Sequence, residues 1–83
     1  MTIHETQISG FTLDELATKI GDLRYDALAE FLQKLAQKIE IDAQKDEARG
    51  RVKLATSLHN TAHCLTDCSQ HIQKAWVICE PYT

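Results

Sequence analysis

The sequence predicts an all-α fold: a helical hairpin with a short N-terminal helix, expected to assemble as a dimeric four-helix bundle. Three observations carry this. Apolar residues recur in steps of three and four through most of the chain. Breakers are scarce, with three Gly and one Pro in 83 residues. No alternation of the strand type continues past residue 11.

Residues 1–11 lack helical periodicity and are rich in Thr and Ile, so they read as an extended or loose arm. Ile3, Ile8 and Phe11 are the arm residues able to lie along a groove. Residues 12–80 form the single helical domain, with helices expected at about 12–21, 22–46 and 51–79, and 81–83 form a tail.

Thr12-Leu13-Asp14-Glu15 spells a capping box, flanked by Phe11 and Leu16 at the spacing of a hydrophobic staple. Leu13, Leu16, Ala17 and Ile20 fill one face of the first helix. Gly21 then Asp22 reads as a stop followed by a new N-cap. In the second helix, Tyr25, Leu28, Phe31, Leu32, Leu35 and Ile39 form the apolar stripe. The stretch from Asp42 to Arg51 is the most polar, and Gly50 is its only breaker. A turn belongs there, between residues 41 and 51. An unbroken rod through Gly50 is the alternative, since one Gly within a helix costs only about 1 kcal/mol.

The last helix carries two stripes. Leu58, Leu65, Ile72 and Cys79 recur at sevens, with Leu54, Thr61, Cys68 and Ala75 between them and Trp76 on the flank. Ala48, Val52, Ala55 and Ala62 form a second, narrower stripe whose small residues suggest a close approach. Pro81 ends the helix. The tail bearing Tyr82 either folds back on the bundle end or serves as a docking peptide.

A helix with two apolar stripes touches neighbours on two sides. One hairpin is a two-helix object, and a first helix only ~12 Å long is too short to cover what remains. A second copy of the chain closes the bundle with two-fold symmetry. The expected interface residues are Leu54, Leu58, Leu65, Ile72, Trp76, Ala55 and Ala62. A monomeric three-helix bundle, with the short helix folded over one end, is the competing architecture.

The net charge is −3. Residues 1–41 hold seven acids against four bases, and residues 42–83 hold five of each. Neither half has the basic excess that a nucleic-acid backbone requires. No stretch approaches the ~20 apolar residues of a membrane span. Three Cys without an apolar leader point to a reducing, cytoplasmic setting. The expectation is therefore a soluble protein that binds neither nucleic acid nor membrane.

Residues 16–28 are similar to a helix-turn-helix, with Ala17, Gly21 four residues on, and Leu23 two beyond. The helix that would read DNA carries Asp22, Asp26 and Glu30 against Arg24, which repels phosphate, so a plain helical corner is expected.

Three His and two Cys fall within residues 59–71. On a helix, Cys64, Cys68 and His71 share an edge at i, i+4 and i+7, while His59 and His63 share another. Two ligands at i, i+4 supply half of a tetrahedral zinc site, and a symmetry mate would have to supply the rest. The spacing is similar to the Cys rows of copper-binding four-helix bundles, whose i, i+4 cysteines face inward to hold Cu(I). The leading reading treats these residues as small hydrophobes and surface groups, with no metal and no cofactor. No paired carboxylates, Gly-rich phosphate loop or Cys–His pair within proton-transfer range is evident, so an enzyme is not expected. What remains is a small interaction module, binding itself and another protein through apolar helix faces. A zinc- or copper-binding bundle using Cys64, Cys68 and His71 is the alternative.

Overall fold

In a computed structural model, residues 4–82 are described. They form α1 (Leu13–Gly21), α2 (Tyr25–Ala48) and α3 (Val52–Cys79), followed by one 3-10 turn over Glu80–Tyr82. The fold is the expected all-α hairpin with a short leading helix, and no strand occurs among the described residues. Ile3 of the expected arm and Thr83 of the expected tail lie outside them. Residues 4–11 carry one turn, closed by the Phe11 N–H on the Ile8 carbonyl at 3.0 Å.

The capping box at α1 is complete. The Thr12 hydroxyl accepts from the Glu15 N–H at 3.1 Å, and Glu15 Oε1 accepts from the Thr12 N–H at 3.3 Å. Asp22 does not open the next helix; it closes α1, its N–H donating to the Thr18 carbonyl at 2.9 Å. The carboxylate that serves the start of α2 is Asp26. It accepts from the Ala27 N–H at 2.9 Å and takes both Nε and Nη2 of Arg24, at 2.6 and 2.7 Å. In the first turn a negative group also meets the positive end of the helix dipole, so Asp26 suits that position better than Asp22.

The turn between α2 and α3 is built by Gly50. Its φ is +80°, its N–H donates to the Glu47 carbonyl at 3.0 Å, and the Arg51 N–H donates to the Asp46 carbonyl at 2.9 Å. These two bonds make a Schellman motif, which needs a left-handed residue just past the helix end. The unbroken rod is thereby excluded. A Cβ at Gly50 would meet nothing within 4 Å, so the penalty of a side chain there is purely that of the backbone. Gly50→Ala is expected to lower unfolding free energy by about 1–2 kcal/mol in urea denaturation. Gly21→Ala, in a helix and equally open, is expected to hold or raise it.

Seven-residue steps organise the contact between α2 and α3. The buried residues are Ala29, Ala36 and Ala43 on α2, and Ala55, Ala62 and Ser69 on α3. Ser69 Oγ donates to the Ala29 carbonyl at 2.6 Å and fixes the antiparallel register. One and two heptads away, that register sets Ala36 opposite Ala62 and Ala43 opposite Ala55. Small side chains let two helices approach near the lower limit of the usual ~8–10 Å.

This core is made of five alanines and one serine. No Leu, Ile, Phe or Trp is buried among the described residues, and α1 has no buried residue at all. The radius of gyration is 15.3 Å, against roughly 12 Å for a compact chain of this length. The accessible surface is 6658 Å², against about 5,000 Å² for a compact monomer of this mass.

Candidate functional site

With the alanine seam facing inward, 3.6 residues per turn fixes the other rows. On α2, Leu32 and Ile39 fall about 40–60° to one side of Ala36, and Gln33 and Glu40 fall as far to the other. On α3, Leu58 and Leu65 fall to one side of Ala62, and His59 and Thr66 to the other. Gln33, Glu40, His59 and Thr66 line a single open groove of about 710 Å³, so the polar rows of both helices share one face of the hairpin. The leucine rows therefore share the opposite face.

That apolar face runs the length of the hairpin. Leu28, Leu32, Leu35 and Ile39 of α2 and Leu58, Leu65 and Ile72 of α3 are half-buried, and Leu54 is 46% exposed. Trp76 is half-buried at the open end, with the Arg24 guanidinium 5.0 Å from its ring centre. This cation–π contact ties the α1–α2 corner to the end of α3. The two stripes expected on the last helix thus part company. Of the narrower stripe, Ala55 and Ala62 face α2 of the same chain, so these two, expected at the interface, are covered from within, Ala55 to 1% exposure; Val52, at the start of α3, is 63% exposed, and Ala48 is exposed at the end of α2 rather than on the last helix. The larger side chains of the Leu58 row cannot occupy so close a seam, and they remain at its edge.

The opposite, polar face centres on a residue pairing that the sequence reading missed. His59 Nδ1 lies 2.8 Å from Glu40 Oε1, and His59 Nε2 lies 3.0 Å from Glu47 Oε2. Both carboxylates come from α2, one heptad apart, and hold the ring between them. The hydrogen bond to Glu40, then that to Glu47, pushes the His59 pKa above its ordinary value against a smaller opposing effect of burial. His63, one turn on, pairs with Asp67 of its own helix at 3.6 Å. Elsewhere, Arg24 holds the Asp26 carboxyl below the usual carboxylate range, and Lys38, 2.6 Å from Asp42, does the same there.

Cys64, Cys68 and His71 are all exposed on the flank of α3 turned away from α2. No group of three His, Cys, Asp or Glu side chains able to hold a metal occurs among the described residues. Any metal site at Cys64 and Cys68 would need ligands from another molecule. Cys79 is half-buried near Trp76. Tyr82 is 88% exposed, so the described part of the tail does not cover the bundle end. No helix is long and apolar enough to cross a membrane, among the described residues.

No protein-family model matches the chain, and no curated protein or solved structure matches it.

Proposed function

We propose that the chain is a non-enzymatic interaction module that works by pairing with a second copy of itself through the leucine face, giving a four-helix bundle. The observation that carries this reading is the composition of the core: among the described residues, nothing larger than alanine and serine is buried. A buried Leu or Ile contributes about 1.5–3 kcal/mol and an Ala far less, so this core alone is a weak source of stability. The surface excess over a compact monomer is about twice the ~800 Å² that each partner gives up in a standard interface, so there is surface enough for one. A second hairpin also presents the complement the face requires, a leucine row of matching length with a seven-residue repeat.

The polar groove is the less suitable docking face, because its charged groups already pair across the hairpin. The surface that remains outside the dimer, including Cys64, Cys68 and His71, would be available to other proteins. The test is co-expression of two copies carrying different affinity tags. The expected result is copurification of both tags in comparable amounts. Recovery of each tagged chain alone would overturn the reading.

A further inference from the structure

We propose that His59 is a proton-loaded latch between α2 and α3, closing the turn end of the hairpin more firmly when its ring carries both protons. The argument is one of donors and acceptors. Each ring nitrogen of His59 lies within hydrogen-bond distance of a carboxylate oxygen, at 2.8 Å for Glu40 and 3.0 Å for Glu47. Carboxylates only accept, and a neutral imidazole has a single N–H. Both bonds form together only when the ring is an imidazolium. In the neutral ring, one nitrogen turns a lone pair toward a negative oxygen, and that contact is repulsive.

The pair that gives way is the one with Glu47. Its side chain is 62% exposed against 38% for Glu40, and it stands one residue before the end of α2. Glu47 also supplies the carbonyl that accepts the Gly50 N–H in the turn. Loss of the proton therefore loosens the last turn of α2 and the Schellman motif, while the alanine seam holds the rest of the hairpin.

The charged and titratable groups around the ring are Glu40 and Glu47 from α2 and His63 one turn on along α3. Asp26 and Asp42 stay ionised over the relevant range, since their pKa values are lowered. The sign follows from linkage: the folded pKa of His59 is raised above its unfolded value. The latch contributes fully below about pH 6.5, the unfolded value, and its contribution is lost as pH rises through the folded pKa. The ring and both carboxylates are partly exposed, so salt weakens the effect.

The experiment is a proton NMR titration of the four histidines of the intact protein, with melting curves at about pH 6 and pH 9 for the wild type, His59→Gln and Glu47→Gln. His59 is expected to titrate above the ordinary histidine value, and Glu47→Gln to lower its midpoint. The wild type is expected to melt at a lower temperature at the higher pH, with lower amide protection factors at Gly50 and Arg51. His59→Gln is expected to lose that His59-dependent fall. Glu47→Gln keeps the His59 ring, so the titration reads the latch even if His59→Gln folds poorly. A His59 midpoint at or below about 6.5, the ordinary histidine value, or a pH dependence unchanged in His59→Gln, would overturn the proposal.

Discussion

Ala43→Leu is expected to be the most damaging single substitution in the hairpin. Ala43 is 0% exposed, and the register sets it opposite Ala55, itself 1% exposed. Leucine adds three heavy atoms at a fully enclosed position of a seam built from alanines. Overpacking of this kind costs about 1–3 kcal/mol, occasionally more. A chain of this length has only about 4–12 kcal/mol of stability in all. Thermal melts followed by circular dichroism should show a drop of roughly 4–8 °C for each kcal/mol lost. Ala48→Leu, exposed at the end of the same helix, controls for the change in composition. Equal melting temperatures for the two variants would mean that the seam is not tight at this layer.

Leu65→Glu should have the largest effect on association. Leu65 is half-buried near the middle of the leucine face, flanked along its row by Leu58 and Ile72. Pairing two hairpins there would bury two like carboxylates among the Leu58 and Ile72 side chains. A desolvated, unpaired charge costs several kcal/mol, and each 1.4 kcal/mol is a factor of ten in affinity. The dissociation constant is expected to rise by about 100-fold or more, read by fluorescence anisotropy of a labelled copy. His71→Glu, exposed on the flank of α3 away from the face, should leave it within about threefold. Similar losses in both variants would place the contact surface elsewhere.

Much of the fold is legible in the sequence because it rests on local chemistry. The capping box at Thr12 and Glu15 needs only four consecutive residues, and its two bonds are both present. Gly50, the sole breaker in its stretch, is where the chain turns. The seam is half legible. Ala55 and Ala62 announce a close approach, but the heptad of Leu58, Leu65 and Ile72 dominates any count of apolar residues. Ala29, Ala36 and Ala43, also at sevens, go unnoticed because alanine weighs little in such a count. Asp22 misleads for a related reason: a cap residue between two helices serves either the end of one or the start of the next, and only geometry decides. The His59 clamp was not legible at all. Its partners lie 19 and 12 residues away, and they converge only once Ser69 and Ala29 have fixed the register. The seven-residue spacing of Glu40 and Glu47 is the one clue that register reasoning could have used.

Of the two apolar flanks on α3, the hairpin covers Ala55 and Ala62 and leaves the leucine row only half-buried. Sedimentation equilibrium on the 83-residue chain at low micromolar concentration tests what that means. The account predicts a single species of twice the 9.4 kDa chain mass, which dissociates and loses helicity together on dilution. A species of 9.4 kDa at every concentration, melting cooperatively, would contradict it.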